Sequence, residues 1–158
     1  MEKIDFLEGI SSFIKYLYIQ KNILHKNLTP IAKKYKLKMS ELNLMLSVRF
    51  NKEIQTASDI AKFSELKRGN ISLIVETLTC RRFLKQLGVE GDRRMKKLVL
   101  TEKAESVLKE CEQIMTVIYE NSMEGISVEE LNGARNVFKK LYENSLKENC
   151  GGQEKNEI

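Results

Sequence analysis

Apolar residues recur at helical spacing along almost the whole chain, and the period changes decisively in one place. From Ile4 to about Lys26 they fall at Phe6, Ile10, Phe13 and Leu17, with Leu7, Ile14 and Leu24 widening the stripe, which predicts a long amphipathic helix. Thr29 and Pro30 supply an N-cap and a pre-set first residue for a short helix through Tyr35, and Ser40 caps another carrying Leu42, Leu44, Met45, Leu46 and Val48. Thr56 with Asp59 reads as a capping box for a helix to about Lys62, followed by a turn at 63–66. Next comes KRGNISLIVETLTCRR, Lys67 to Arg82, with Ile71, Ile74, Val75 and Leu78 on one face. After Arg82 the pattern gives way to two short runs, Phe83 to Leu87 and Lys96 to Leu100, around the turn-rich GVEGDRR of Gly88 to Arg94. That is a β-hairpin, and Glu53 to Thr56 can add a small strand. Helical spacing then resumes: Thr101 caps a helix to about Asn121 carrying Ala104, Val107, Leu108, Cys111, Met115 and Ile118. Ser127 and Glu130 open a last helix with Leu131, Ala134, Phe138 and Leu141.

The expected fold is mainly α with a small β-wing. Two helices joined by a tight turn, the second apolar on one side with Arg68, Gly69, Asn70, Ser72 and Leu73 left near its start or on the other, form a helix-turn-helix. A basic hairpin directly after it is a wing, whose tip can enter a minor groove while the helix occupies the major groove. The winged helix-turn-helix spans about 40–100, inside a single domain of 1–148 with a flexible, glycine-rich tail at 149–158. Long amphipathic helices at about 4–26 and 101–148 cannot bury their stripes on so small a module, so they are expected to bury them on each other and on a second copy, giving a homodimer.

Charge points to the partner. The formal net charge is +5, distributed as ten Lys/Arg against five Asp/Glu over 1–56, eleven against six over 57–103, and six against eleven over 104–158. A polyanion facing the first two thirds is the leading reading, double-stranded DNA above all, since Lys and Arg gain by displacing counterions from phosphates. A basic surface that serves only solubility is the alternative. Lys33, Lys34, Lys36 and Lys38 crowd one junction and read as a solvated face or as phosphate contacts.

Three scattered cysteines, Cys80, Cys111 and Cys150, form neither a disulfide framework nor a CxxC site, and a lone His25 argues against histidine-based metal or nucleophile sites. No apolar run reaches the roughly 18 residues of a membrane span, and no leader is evident, so a cytoplasmic protein is expected. No paired carboxylates stand out, and GNIS at Gly69 to Ser72 lacks the second Gly and the Lys of a P-loop. The expectation is a binding protein, not an enzyme, with no cofactor and no metal.

The stretches ASDIAKFSELKRGNISLIVETL (Ala57 to Leu78) and FLKQLGVEGDRRMKKLVLTEKAESVL (Phe83 to Leu108) resemble the MarR-type winged helix-turn-helix transcriptional regulators. The DRR of Asp92 to Arg94 is similar to the family's wing motif, LTEKA to its exit into the dimerisation helix, and GISVEEL (Gly125 to Leu131) to the start of its last helix. The resemblance implies a two-fold dimer on a pseudo-palindromic operator, usually repressing transcription until a ligand or oxidant shifts its shape. It places Lys67, Arg68, Gly69, Asn70, Ser72 and Leu73 on the DNA-reading helix and Asp92, Arg93 and Arg94 in the wing, Arg94 at the tip with Asp92 orienting it or a neighbour. The alternative for Arg94 is a hairpin salt bridge with Asp92.

Two positions depart from the family pattern. Lys67 replaces the usual small N-cap, and Arg82 replaces a glycine that ends the helix left-handed. The resemblance also implies a small-molecule inducer, with Phe13, Tyr16, Leu17, Met45 and Cys111 as candidate lining residues; these are equally core residues by their spacing. Cys80, beside Arg81 and Arg82, is a candidate thiolate or a buried inert thiol. A winged helix that binds protein instead of DNA is the competing function, but its reading face would be apolar or acidic.

Overall fold

The computed structural model describes residues 3–53, 55–63, 67–89 and 92–151, with side chains over 8–53, 55–62, 67–88 and 96–147. The elements are α1 (Lys3–Lys34), α2 (Met39–Phe50), α3 (Ala57–Phe63), α4 (Arg68–Cys80), β1 (Leu84–Val89), β2 (Asp92–Leu100), α5 (Glu102–Ser122) and α6 (Val128–Gly151). Mainly helical with one two-stranded antiparallel sheet, this is the architecture expected from the pattern. The chain divides into two units, residues 1–118 and 119–158.

In the first unit one core draws on every element: Leu28 and Ile31 from α1, Leu42 and Met45 from α2, Ile60 from α3, Ile71, Val75 and Leu78 from α4, Leu98 from β2, and Val107 and Leu108 from α5. The α4 and α5 stripes read from the sequence are the buried ones, with Ile74, Met115 and Ile118 half-buried. The second unit turns at Gly125, whose φ of 77° is the left-handed conformation that glycine adopts freely. It then enters α6 through the expected capping box: the Ser127 N–H donates to Glu130 Oε2 at 2.8 Å, and the Glu130 N–H donates to Ser127 Oγ at 3.2 Å. The serine amide and hydroxyl hold the Glu130 carboxyl below the usual carboxylate range. Helix α6 continues to Gly151, past the expected fraying point at Asn149; residues 152–158 lie outside the described residues.

Three local expectations are corrected. No helix begins at Thr29: α1 runs unbroken through Pro30, and the Thr29 hydroxyl donates to the His25 carbonyl at 2.6 Å instead of capping. An interior proline costs about 3 kcal/mol, and burying a Leu or Ile side chain contributes about 1.5–3 kcal/mol. Leu28 and Ile31, 3% and 6% exposed, flank Pro30 and together outweigh it. Ser40 is not a cap, because Lys38 holds that position and its N–H donates to Glu41 Oε2 at 2.9 Å. The strand expected at Glu53 to Thr56 reduces to an isolated bridge between Thr56 and Lys97, with the Leu98 N–H donating to the Gln55 carbonyl at 2.8 Å; Ile54 lies outside the described residues.

Candidate nucleic-acid interface

Helix α3 is set by the capping box read from its sequence. The Thr56 N–H and hydroxyl donate to Asp59 Oδ2 at 2.9 and 2.8 Å, and the Asp59 N–H donates to Thr56 Oγ1 at 3.2 Å. The Thr56 hydroxyl, with the backbone amides of Gln55 and Thr56, holds the Asp59 carboxyl below the usual range. The turn that follows, at 64–66, lies outside the described residues.

Helix α4 starts at Lys67 with extended backbone and no side-chain cap, as that residue type implies. It ends in a Schellman motif: the Arg82 N–H donates to the Thr79 carbonyl at 3.0 Å and the Phe83 N–H to that of Leu78 at 2.8 Å. Arg82 occupies the left-handed position with φ of 62°, so the helix keeps the geometry a glycine would take and tolerates the strain. Anchored by Ile71, Val75 and Leu78, the helix leaves Lys67, Arg68, Gly69, Asn70, Ser72 and Leu73 exposed, Leu73 by 62%. All six candidate reading residues therefore share one solvent-facing stretch. Ser72 Oγ donates back to the Arg68 carbonyl at 3.1 Å. A Cβ added to Gly69 would meet nothing within 4 Å, so no packing within the chain calls for glycine there.

Grooves extend this face on both sides. A cavity of about 420 Å³ lies between Lys38 and Ser40 at the start of α2 and Asn70, Leu73 and Thr77 of α4. A small cleft of about 70 Å³ separates Ala57 and Ser58 of α3 from Arg68 and Ser72. Across α3, a cleft of about 370 Å³ runs from Ser58 and Lys62 to Gln86 and Lys96 of the hairpin. In the hairpin Gly88 pairs with Lys96 but Val89 pairs with Asp92, so Arg93, Arg94 and Met95 sit on β2 with no counterparts on β1. The wing motif thus lies in the bulged part of a strand, not in the turn expected from sequence; the side chains of Asp92, Arg93 and Arg94 lie outside the described ones.

Among the described residues three cations join helices through ion pairs. Lys34 pairs with Glu110 at 2.7 Å, Arg49 with Glu112 at 2.9 Å and Glu105 at 3.2 Å, and Arg81 with Glu41 at 3.2 Å. These tie helices together. Lys67, Arg68, Lys96 and Lys97 are exposed and enter no ion pair among the described residues. Cations with no ion pair among the described residues, on a groove-flanked helix and an adjacent hairpin, suit a phosphate-bearing surface.

The candidate ligand-lining residues do not gather around one opening. Met45 and Cys111 are fully buried, and burial pushes the Cys111 thiol up to about 11. Phe13, Tyr16 and Leu17 are 39%, 44% and 50% exposed on α1, Phe13 and Tyr16 with stacked rings 6.4 Å apart. Cys80 is exposed, not buried. Its neighbour Arg81 turns away to other acceptors: its guanidinium donates to the Tyr35 and Lys36 carbonyls, both at 2.9 Å, and to Glu41. Sequence reasoning missed this role, since the acceptors lie 40 to 46 residues away; the one available signal was Glu41, a lone acid on an apolar helix.

Among the described residues no group of three or more His, Cys, Asp or Glu is placed to hold a metal, and no helix is long and apolar enough to cross a membrane.

No protein-family model matches the sequence, and no curated protein sequence matches it significantly. Solved structures do match. A MarR transcriptional regulator from Methanosarcina mazei Go1 superposes with a TM-score of 0.63 at 18% identity, over 89% of this chain and 98% of its own. The transcription regulator MarR from Oenococcus oeni PSU-1 gives 0.59 at 22% identity, over 83% and 98%. The transcriptional regulator PA3341 gives 0.68 at 19%, over 85% and 98%. The chain therefore has the winged-helix fold of these transcriptional regulators, over nearly their whole length.

Proposed function

We propose that the protein is a MarR-type transcriptional regulator that binds a pseudo-palindromic operator in double-stranded DNA as a homodimer and represses from it. The observation that carries this reading is the exposed stretch of α4, where Arg68 can donate in a bidentate manner to guanine and Asn70 to adenine, with Lys67 and Lys96, which enter no ion pair among the described residues, as phosphate contacts. In the wing, the same reading assigns Arg94 to the minor groove, favoured where A·T-rich sequence narrows it, Arg93 to a further DNA contact, and Asp92 to orienting Arg94 or a neighbour.

Dimerisation is supported by apolar side chains left exposed in one chain: Ile10, Ile14 and Leu17 on α1, and Val137, Leu141 and Tyr142 on α6. A protein of this kind works in the cytoplasm, on chromosomal DNA, as a binding protein and not an enzyme. Repression is effector-responsive, with Phe13, Tyr16 and Leu17 the aromatic and aliphatic groups open to a small amphipathic ligand.

The experiment is fluorescence anisotropy with duplex DNA from upstream of the protein's own coding sequence, against a shuffled duplex, across a salt series. The upstream duplex is expected to bind about a thousandfold more tightly, with a steep salt slope. Equal, weak binding of both contradicts the proposal and favours a protein partner for the same face.

A further inference from the structure

Helix α1 ends in the same manner as α4. The Lys36 N–H donates to the Lys33 carbonyl at 3.0 Å and the Leu37 N–H to that of Ala32 at 2.7 Å, with Lys36 left-handed at φ of 54°. A helix end leaves carbonyls without intrahelical partners. Here the Tyr35 and Lys36 carbonyls are taken by one guanidinium, that of Arg81, one residue beyond α4. The same group donates to Glu41, which is 4% exposed and also accepts the Lys38 N–H that starts α2. One side chain thus joins the end of α1, the start of α2 and the end of α4.

The joint is held from behind as well. The Tyr35 hydroxyl donates to Glu110 of α5 at 2.6 Å, so this residue is gripped by its carbonyl from α4 and by its hydroxyl from α5. Lys103 of α5 donates to the Arg81 carbonyl at 2.9 Å. Arginine suits the post because its planar fork aims several N–H groups at separate acceptors, whereas lysine offers a single point of charge. Without it, the Glu41 carboxylate would stay buried with no cation beside it.

We infer that Arg81 is a positioning residue, which fixes the reading helix α4 against the last turn of α1 and thereby sets DNA affinity without touching DNA. The inference rests on the reading of α4 as the DNA-reading helix.

The test uses the full chain with Arg81→Ala, Arg81→Lys and Val107→Ala, the last a truncation in the buried core of α5. At a temperature where all are folded, anisotropy with the upstream duplex gives affinity and salt slope for each. Arg81→Ala is expected to bind at least tenfold more weakly with its salt slope unchanged, Arg81→Lys to recover only part of the loss, and Val107→Ala to bind as the parent protein does. Amide exchange at Leu37 and Phe83, whose N–H groups close α1 and α4, should accelerate in Arg81→Ala and not in Val107→Ala. Binding by Arg81→Ala as tight as by Val107→Ala overturns the inference. A salt slope shallower by about one does so too, since it makes Arg81 a phosphate contact. Should the parent protein fail to prefer the upstream duplex, the DNA reading itself has failed, and unchanged exchange at Leu37 and Phe83 would then dispose of the joint as well.

Discussion

Helices α5 and α6 carry apolar residues at the same spacing, yet along α5 Ala104, Val107, Leu108 and Cys111 are fully buried, while along α6 Ala134 is exposed and Val137, Phe138 and Leu141 are 56%, 48% and 51% exposed. Periodicity decides which residues share a face, and the elements folded against that face decide whether it is covered. In α5 the first turns close a core to which every element of the first unit contributes. The α6 stripe has the composition of a core and the exposure of a surface, and under the proposed function a second copy covers it.

The largest effect should separate the two stripes directly. Leu108→Ala is expected to lower the unfolding free energy by about 2–5 kcal/mol in urea titrations, and Leu141→Ala, at protein concentrations low enough to keep the chain monomeric, by less than about 1 kcal/mol. Equal losses would erase the distinction. Next, Leu141→Asp should raise the dimer dissociation constant at least tenfold, about 1.4 kcal/mol, in sedimentation equilibrium; an unchanged mass distribution removes α6 from the interface.

The two capping boxes, one in each unit, form a smaller contrast. Thr56→Ala should cost about 1 kcal/mol through loss of the α3 cap. Asp59, Glu130 and Glu110 all have carboxyls held below their ordinary values, Glu110 chiefly by Lys34 and then by the Tyr35 hydroxyl. A lowered folded value stabilises above the ordinary carboxylate range and is lost as pH falls through it, so the melting midpoint should drop between about pH 5 and pH 3. Glu110→Gln should flatten that drop, and an unchanged slope would remove Glu110 from the acid response. Smallest in energy is Gly69→Ala, expected to stabilise α4 by about 0.5–1 kcal/mol. Its added methyl meets open space within the chain. If DNA backbone packs close to α4 at this point, the more stable variant binds DNA more weakly; affinity that stays level would separate Gly69 from the interface.

Much of the fold was readable because its rules are local. The Thr56/Asp59 and Ser127/Glu130 boxes close within three residues, and the stripe of α4 needs only its own spacing. Pro30 misled for the complementary reason. A local breaker was overruled by the burial of Leu28 and Ile31, which no window around it reveals. The exposed reading residues were legible as the complement of the buried α4 stripe. The three-residue register slip in the hairpin was not, because GVEGDRR reads as turn throughout, and neither was the grip of Arg81 on Tyr35, Lys36 and Glu41, which depends on chain brought from elsewhere.

The most direct test of the account is the salt dependence of duplex affinity for the parent protein, Arg68→Ala and Lys139→Ala. Arg68 enters no ion pair among the described residues and lies on the proposed reading face, whereas Lys139 lies on α6 opposite Glu143 at 3.9 Å. Arg68→Ala is expected to bind more weakly, with a logarithmic salt slope shallower by about one, and Lys139→Ala to be indistinguishable from the parent protein. Parallel slopes and equal affinities for all three would contradict the account.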